Sequence, residues 1–500
     1  MSTTTQNVAA AIQKYLESVK TTIGKINDSD GNPIQIPNYA DLYTAAGKLD
    51  TVDNPTEIMY TINSLLGRAN NVGSESVQFD NGQPTSQLSF PQDHALHPKM
   101  GSEWYWIGCH LDVTDENGNK GKLSIMDTMQ KIRSVGTDIQ AENNWTDEQV
   151  ALTCNIATVT VKMDANDETS YYRRTKNQQW GLKGGTTSFS KPGDAFSFIS
   201  GADSLTGSID VLPLRLVVND GDNMQIDITL TKSYFVDTES SFFLQGMPTK
   251  NGGTGFTPLP TPGMYYSWPQ VQVTGIISVG GKTYKVDAGT GWIDHQLMTA
   301  SLLNSKGQPD TKLFQHTPTN FPINGWIWQY FNLENDTSFT GAGFILGDYP
   351  TNNTVKMDYG YFLQPNYENK SWNATFILGN IDVDDYQEFP SDCNNPHSTP
   401  VKIPIKRDYK LYSVDGSLAE ELALLFHPIE GQAIPWFNNG TFNNPDGSFC
   451  AEFPANFVSG NPNSHPNGVG YLESVGLEEV NQYRAYALSV LQGLVFETTE

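Results

Sequence analysis

Apolar residues in the first part of the chain recur at the spacing of an α-helix. One predicted helix ends near Gly24, and its apolar face consists of Ala9, Ile12, Tyr15, Leu16 and Val19. A second is predicted from Asn54 as its N-cap, with Pro55 in the first turn and Gly67 at its end. The pattern therefore predicts a helical N-terminal extension over residues 1–74 that packs on a larger body.

From about residue 75 onward, apolar and polar residues alternate at a period of two, which is typical of β-strands. Turn signals separate these runs, and Asn117-Gly118, Asn219-Asp220-Gly221 and Gly280-Gly281 favour hairpins. The strand-like runs include LSFP, EWYWIGCHLDV, IATVTVKM, MQIDITLTKSYF, VQVTGIISV, KTYKVDAG, WIWQYFNL, TGAGFILG, VKMDYGYFL and ATFILGNIDV. The pattern predicts antiparallel β-barrels or β-sandwiches, and it disfavours a doubly wound sheet because no amphipathic helices alternate with the strands.

A polar, proline-containing segment around 300–322 divides the β-rich part of the chain. We therefore predict a first β-domain over 75–305 and a second over 306–500. The final stretch, LEEVNQYRAYALSVLQGLVF, has apolar residues at helical spacing. It is predicted to form a C-terminal helix that covers a face or an edge of the second barrel.

The charge of the chain limits its partners. The 30 Lys and Arg residues against 55 Asp and Glu residues give a net charge of −25, which repels the phosphates of nucleic acids and anionic membrane surfaces. No stretch approaches the roughly 18 apolar residues of a transmembrane helix. The N-terminus lacks the features of a signal peptide, so we expect a cytoplasmic location, or an extracellular one if the chain is a mature form. The oligomeric state stays open.

Cysteine and histidine spacing gives no sign of a metal site. The four cysteines, Cys109, Cys154, Cys393 and Cys450, lie far apart without a CxxC pair, and the eight histidines show no HxH or HExxH spacing. We expect the cysteines to be reduced and mostly buried. We expect neither a metal ion nor an organic cofactor.

The first candidate segment for chemistry is EWYWIGCHL, residues 103–111. In an extended strand, Trp104, Trp106 and His110 point to one face, and Gly108 leaves space between them. Two indoles and an imidazole can line an apolar cavity with a polar tip. An ordinary barrel core with one hydrogen-bonded histidine is the alternative.

The second candidate segment is GWIDHQ, residues 291–296, in which Trp292, Asp294 and Gln296 share a face of an extended strand. A carboxyl beside an indole in a dry pocket has its charged form penalised, so the pKa of Asp294 should rise. Such a group can act as a general acid near neutral pH. A turn cap or a structural ion pair is the alternative.

The third candidate segment is GWIWQYF, residues 325–331, where Trp326, Trp328 and Tyr330 share a face. Aromatic faces can stabilise a passing carbocation through the ring quadrupole. They serve equally as core, or as a platform for a flat apolar ligand.

These segments together resemble a known family. His97-Pro98 followed by EWYW and GCHL resembles the HP…EWWYxxGHL pattern of the carotenoid 1,2-hydratase (hydroxyneurosporene synthase) and AttH-like family. The stretch from YYS at 265–267 to GWIDHQ resembles the YYS…WxDHxWG pattern of that family, and GWIW at 325–328 resembles its GWDWF pattern. The resemblance covers roughly residues 90–480, and the WxDH block is its most specific part.

The resemblance implies two lipocalin-like β-domains with a cavity at or near their interface. The expected fold class is therefore all-β, with the helical extension and the C-terminal helix added. The family includes hydratases that add water to an isolated alkene and fungal intramolecular Diels–Alderases, and neither group needs a metal or an organic cofactor. The hydratases are understood to protonate the alkene with the Asp of WxDH, which implies Asp294 here. The His of GHL, here His110, is implied in the same site.

We therefore expect a cofactor-free hydratase or cyclase that acts on an apolar polyene, terpenoid or polyketide-like molecule of specialised metabolism. Asp294 and His110 are the expected catalytic residues. The residues expected to contact the substrate are Trp104, Trp106, Tyr266, Trp292, Gln296, Trp326 and Trp328. Two alternatives stay open: a pericyclic cyclase that works by conformational control of its substrate, and a non-catalytic carrier of a hydrophobic ligand.

Overall fold

The structure is a computed structural model that describes residues between 79 and 475, with gaps. The gaps are 81–82, 85–87, 99–101, 134–139, 142, 166–168, 174–176, 238–240, 246–247, 250–251, 254, 258–262, 299–301, 304–308, 311–322, 347–354, 393–394, 413–417, 429–433, 436–449 and 460–466. From residue 323 onward, side chains are described for 328–342, 360–375, 454–456 and 467–473. The predicted extension over 1–74 and the predicted C-terminal helix lie outside the described residues.

Fourteen strands form the first sheet, and all neighbours in it are antiparallel. In chain order they are β1 (Ser102–Asp115), β2 (Lys120–Arg133), β3 (Ala151–Met163), β4 (Thr169–Arg173), β5 (Asn177–Trp180), β6 (Thr187–Phe189), β7 (Ser197–Ser200), β8 (Asp203–Ser208), β9 (Val211–Asn219), β10 (Met224–Thr231), β11 (Phe243–Leu244), β12 (Phe256–Thr257), β13 (Gly263–Val279) and β14 (Lys282–Met298). The order across the sheet is β4-β3-β2-β1-β14-β13-β10-β9-β8-β7-β6; β5 pairs with β3, and β11 and β12 pair with β13.

The first sheet curls until its two ends approach each other. The Thr153 hydroxyl on β3 lies 3.0 Å from the Thr187 hydroxyl on β6 and 2.8 Å from the Ser200 hydroxyl on β7. The Asn177 amide on β5 donates to the Asp203 carboxylate on β8 at 2.8 Å. The curled sheet therefore encloses an apolar interior on its concave side.

Nine strands form the second sheet. In chain order they are β15 (Ile323–Leu333), β16 (Ser338–Leu346), β17 (Val355–Asn366), β18 (Ser371–Asp392), β19 (Asn395–Tyr412), β20 (Leu418–Pro428), β21 (Ile434–Pro435), β22 (Cys450–Ser459) and β23 (Gly468–Val475). The order is β20-β19-β18-β17-β16-β15-β23-β22-β21, and β20 also pairs with β22. This last pairing closes the strands from β15 to β20 with β22 and β23 into a ring.

The remaining elements are small. Three two-residue ladders pair Phe79–Asp80 with Gln83–Pro84, Pro248–Thr249 with Gly252–Gly253, and Leu302–Leu303 with Pro309–Asp310. Short helical segments are α1 (Asp147–Val150) and the 3₁₀ helices Gln92–His94 and Gly181–Lys183. Within the described ranges, no helix has the length and apolar character needed to cross a membrane.

The antiparallel all-β fold predicted from the alternating pattern is confirmed. The three predicted turns join β1 to β2, β9 to β10 and β13 to β14. At the last of these, Gly280 and Gly281 have φ values of 59° and 73°, the left-handed backbone that a tight two-residue hairpin requires and that glycine adopts freely.

One predicted strand, LSFP, is wrong. Residues 88–91 form no strand and lead instead into the 3₁₀ helix Gln92–His94. The Asp93 amide donates to the Ser89 carbonyl at 2.8 Å, and Pro91 has no N–H to offer to a strand ladder. The chain therefore turns at this point.

The first sheet ends at Met298 and the second begins at Ile323. The predicted domain boundary between residues 305 and 306 falls in the segment between them. The division into two independently folding domains stays a prediction.

The two faces of β1 and β14 belong to two different apolar clusters. The inner cluster fills the curl of the first sheet and includes Tyr105, Ile107 and Cys109 from β1. The inter-sheet cluster joins both sheets and includes Trp106, Tyr265 and Trp292 from the first sheet with Trp328, Tyr330, Tyr361 and Tyr471 from the second. Successive residues of a strand therefore enter different environments, as the period of two requires.

Candidate active site

Asp294 lies on β14, between its neighbours β1 and β13. Its register partners are Trp106 on β1 and Ser267 on β13. Because alternate side chains share a face, Trp292 and Asp294 both point toward the inter-sheet cluster, whereas His295 points to the opposite face. Asp294 is buried, with 4% of its surface exposed. A carboxyl is thus placed at the contact between the two sheets.

Both carboxylate oxygens of Asp294 accept hydrogen bonds. Oδ1 accepts from the Ser267 hydroxyl and from the Trp292 indole, whose Nε1 lies 2.6 Å away. Oδ2 accepts from the Tyr265 hydroxyl at 3.3 Å. None of these donors is charged.

Burial raises the pKa of Asp294 from 3.8 to about 7. The hydrogen bonds from Ser267, Trp292 and Tyr265 stabilise the ionised form and oppose this rise, while the Glu473 carboxylate adds to it by repulsion. Protonated and ionised Asp294 therefore coexist near neutral pH, which is the condition under which a carboxyl can serve as a general acid.

The second sheet supports the groups that hold Asp294. The Trp328 indole nitrogen on β15 lies 2.5 Å from the Tyr265 hydroxyl, to which it donates. The Gln245 amide donates to the Ser267 hydroxyl at 2.6 Å and lies 3.3 Å from the Thr340 hydroxyl on β16. The environment of the carboxyl is therefore complete only when the two sheets are in contact.

Aromatic rings surround this carboxyl. Trp292 stacks on Tyr330, with ring centroids 5.0 Å apart and planes 19° from parallel, and Trp106 meets Trp328 edge to face at 4.9 Å. Gly108 makes room for them, because a Cβ at this position would lie 2.4 Å from the Trp106 ring and 2.7 Å from the Tyr330 hydroxyl. That hydroxyl is buried and has no hydrogen-bond partner among the described residues.

Three more predicted site residues lie along the same strands. Trp104 is partly buried and packs against the inter-sheet cluster. Gln296 is partly buried and pairs in register with Trp104 on one side and with Tyr265 on the other. Trp326 occupies a backbone position on β15 opposite Phe344, and its side chain lies outside the described part of the structure.

His110 has a different set of contacts from the one expected. Its Nε2 donates to the Gly470 carbonyl on β23 at 2.9 Å, and its Nδ1 lies 3.1 Å from the Ser124 hydroxyl. Burial lowers the pKa of His110 to about 4, so the imidazole is neutral. In the register of β1, His110 is four residues from the partner of Asp294, which is about 13 Å. His110 therefore joins the two sheets rather than positioning the acid directly.

Tyr266 lies on the opposite face of β13 from Tyr265. It belongs to the inner cluster, and its hydroxyl is 2.7 Å from Nδ1 of His295 and 2.9 Å from Nδ1 of His94. The structure brings Tyr265 to Asp294 instead, because consecutive side chains of a strand point to opposite faces.

A buried charge network occupies this opposite face, with Asp93, His97, Glu103, Lys131 and His295 as its members. The Glu103 carboxylate is 2.7 Å from His97 Nδ1 and 2.8 Å from His295 Nε2, and the Lys131 ammonium is 3.4 Å from its other oxygen. His97 Nε2 lies 3.1 Å from Asp93. Asp294 and His295 are consecutive, so the network anchors the strand that carries the acid.

The protonation of this network follows from its contacts. Burial by itself lowers the pKa of His97, but the Glu103 and Asp93 carboxylates outweigh burial and raise it to about 9. Burial lowers the pKa of His295. Charged His97 and Lys131 then balance Asp93 and Glu103, and His295 stays neutral.

In the described part of the chain, His97, Glu103 and His295 are the group whose ligand atoms are close enough to surround a metal ion. Two observations disfavour a metal there. Their N–O separations of 2.7 and 2.8 Å are hydrogen-bond distances, shorter than the roughly 3.3 Å between tetrahedral zinc ligands. The Lys131 ammonium already supplies a positive charge beside Glu103. The arrangement therefore fits a proton-bonded network better than a metal centre.

Sequence reasoning did not identify several groups around Asp294. Tyr265 and Ser267 lie in the YYS motif, and only the register of β13 against β14 shows that they flank Asp294. Gln245 and Tyr471 carry no local signal. They reach the site only because their strands are brought there by the tertiary fold.

Several solved structures are similar to this chain. A crystal structure of an AttH protein of Nitrosomonas europaea is 17% identical, with a TM-score of 0.47, over 79% of this chain and 98% of that one. Kievitone hydratase of Nectria haematococca is 14% identical, with a TM-score of 0.40, over 76% of this chain and 89% of that one. A structure of CghA is 10% identical, with a TM-score of 0.41, over 76% and 89% of the two chains.

Sequence comparison gives two further findings. No curated protein matches the sequence. The family model of AttH-like proteins matches residues 81–311, the part of the chain that contains the first sheet, Asp294 and the buried charge network. Residues 81–311 of this chain are therefore similar to the AttH-like family.

Proposed function

We propose that this protein is an enzyme that protonates an apolar small molecule with the Asp294 carboxyl and so hydrates or cyclises it. The observation that carries this proposal is a buried carboxyl with a pKa of about 7, held by neutral donors at an aromatic contact between two sheets. A carboxyl of this kind holds a proton near neutral pH without a charged partner.

The proposed reaction starts with transfer of the Asp294 proton to one carbon of an alkene. The π electrons form the new C–H bond, which leaves a carbocation on the neighbouring carbon and a carboxylate at Asp294. Aromatic rings such as Trp106 and Trp292 can stabilise this cation through their faces. In hydration, water adds to the cation and returns a proton to the carboxylate. In cyclisation, a second alkene of the same molecule attacks the cation, and loss of a proton restores the acid.

The substrate class follows from the surroundings of Asp294. The rings of Trp106, Trp292, Trp328 and Tyr330 favour an apolar, unsaturated molecule such as a polyene, terpenoid or polyketide-like compound of specialised metabolism. The buried Tyr330 hydroxyl can bind an oxygen of such a molecule, since it has no partner among the described residues.

Substitution of Asp294 tests this proposal. The wild-type protein and Asp294→Asn are incubated with a panel of polyenes and isoprenoids, and products are followed by mass spectrometry for addition of water or for isomerisation. Binding is measured by quenching of tryptophan fluorescence. Asp227→Asn is the matched control, because Asp227 is an exposed residue of the same sheet paired with Arg215.

Acid catalysis predicts that Asp294→Asn loses turnover and keeps binding, while Asp227→Asn keeps both. Turnover that survives in Asp294→Asn would favour a pericyclic reaction under conformational control. Binding without turnover in the wild-type protein would favour a carrier of hydrophobic ligands.

A further inference from the structure

Trp328 is a hydrogen-bond donor as well as a member of the inter-sheet cluster. Its Nε1 lies 2.5 Å from the Tyr265 hydroxyl oxygen, and an indole N–H can only donate. The Tyr265 oxygen therefore accepts this bond, which directs the hydroxyl proton elsewhere, and Oδ2 of Asp294 lies 3.3 Å away. We propose that Trp328 orients the Tyr265 hydroxyl and that Asp294 exchanges its acidic proton through Oδ2.

The contacts of Oδ1 show why the proton belongs on Oδ2. The Ser267 hydroxyl accepts from the Gln245 amide at 2.6 Å, and it donates its own proton to Oδ1 of Asp294. The Trp292 indole donates to the same oxygen at 2.6 Å. A carboxylate oxygen has two in-plane lone pairs, so these two donors occupy Oδ1. Protonated Asp294 therefore carries its hydrogen on the oxygen that faces Tyr265.

The Tyr265 hydroxyl suits both ionisation states of Asp294. It donates to Oδ2 when the carboxyl is ionised. When the carboxyl is protonated, the Tyr265 oxygen can accept from Oδ2 in addition to the Trp328 indole, because a hydroxyl oxygen has two lone pairs. The bond from Trp328 polarises the Tyr265 O–H and makes it a stronger donor to the ionised form. Tyr265 and Trp328 are thus positioning residues for the acid.

Other titratable groups face Asp294 from the elements packed against it. Tyr330 on β15 and both Tyr471 and Glu473 on β23 come from the second sheet, and His110 lies further along β1. None of them is altered by the variants below, so their contributions to the titration of Asp294 stay the same.

This inference rests on the role of Asp294 in the proposed function, but its test needs no substrate. The infrared carbonyl band of the protonated Asp294 carboxyl is identified by its loss in Asp294→Asn and is then followed against pH. The titration midpoint is measured in the wild-type protein, in Trp328→Phe, in Tyr265→Phe and in the double variant. Trp372→Phe is the matched control, because this buried indole of the same cluster has no hydrogen-bond partner among the described residues.

Loss of a donor to the ionised form raises a carboxyl pKa, so each single variant should move the midpoint upward by about half a pH unit or more. The double variant should equal Tyr265→Phe alone, because Trp328 acts through Tyr265. Trp372→Phe should leave the midpoint where it is. An unmoved midpoint in Trp328→Phe would overturn the proposal that Trp328 acts on Asp294 through Tyr265. A double-variant shift equal to the sum of the two single shifts would overturn it as well.

Two measurements on the wild-type protein keep the proposal testable if a variant does not fold. The chemical shift of the Trp328 indole N–H should change with pH at the same midpoint as the Asp294 carboxyl. A chemical shift that stays constant through this midpoint contradicts the proposal that Trp328 acts through Tyr265. In a neutron structure below the midpoint, a deuteron on Oδ1 rather than Oδ2 contradicts the assignment. None of these measurements depends on turnover. The positioning role of Trp328 and Tyr265 can therefore be refuted while Asp294→Asn still supports acid catalysis, and acid catalysis can be refuted while the positioning role is supported.

Discussion

Raising the pH from 6.5 to above 9 should destabilise the folded protein through His97. In the folded state this imidazole lies between the Asp93 and Glu103 carboxylates, 3.1 Å and 2.7 Å away, and is buried. Its charged form is stabilised by both partners. In the unfolded chain, these contacts are lost and His97 titrates near 6.5.

The magnitude follows from the two pKa values of His97. The folded value is about 9 and the unfolded value is 6.5, a difference of 9 − 6.5, or about 2.5 units. At about 1.36 kcal/mol per unit, the charged imidazole contributes on the order of 3 kcal/mol to the free energy of unfolding. Because the folded pKa is the higher one, this contribution is complete below pH 6.5 and disappears as the pH rises through 9.

Chemical denaturation at a series of pH values measures this effect. His97→Gln serves as the comparison, since glutamine keeps hydrogen-bonding capacity but does not titrate, and all other groups are shared. The wild-type free energy of unfolding should fall by on the order of 3 kcal/mol between pH 6.5 and 9.5, relative to the variant. If the two curves run parallel over this range, His97 is not charged in the folded protein and the charge balance of the buried network is wrong.

Two further predictions concern the site itself. In Gly108→Ala, the new methyl group would lie 2.4 Å from the Trp106 ring and 2.7 Å from the Tyr330 hydroxyl, so urea denaturation should show a loss of about 1–3 kcal/mol, as is usual for overpacking; an unchanged midpoint would show that these rings can move aside. In Ser267→Ala, the ionised form of Asp294 loses a donor to Oδ1, so the pKa of Asp294 should rise above 7 and the alkaline limit of turnover should move to higher pH. A shift to lower pH would contradict the assignment of Asp294 as the acid.

Local alternation explains how much of the site could be predicted from the sequence. A strand places every second side chain on one face, so the residue order alone separates Trp104, Trp106 and His110 from the residues between them. The same rule places Trp292 and Asp294 together. The expected rise in the pKa of Asp294 also follows from burial, and the hydrogen bond that the neighbouring Trp292 indole donates opposes this rise.

Alternation within one strand does not show which of two adjacent residues faces Asp294. Tyr265 and Tyr266 are equally good candidates in the sequence, and only the register of β13 against β14 decides which one faces Asp294. His110 shares a face with Trp106, but its partners are Gly470 and Ser124, and the Gly470 carbonyl comes from a strand hundreds of residues away. Two residues on the same face of a strand point in the same direction, but this does not show which residue of another strand each of them contacts.

The sequence by itself determined many of the strands, three of the turns between them and the alternation of side chains along each strand, because these depend on residues that are close in the chain. Tertiary structure alone decided that Trp328 reaches Tyr265 and that Gln245 reaches Ser267. It also decided that His97, Glu103 and His295 meet in one network behind Asp294. These contacts join residues that are distant in the chain, and only the pairing of strands and the packing of one sheet on the other bring them within hydrogen-bond distance.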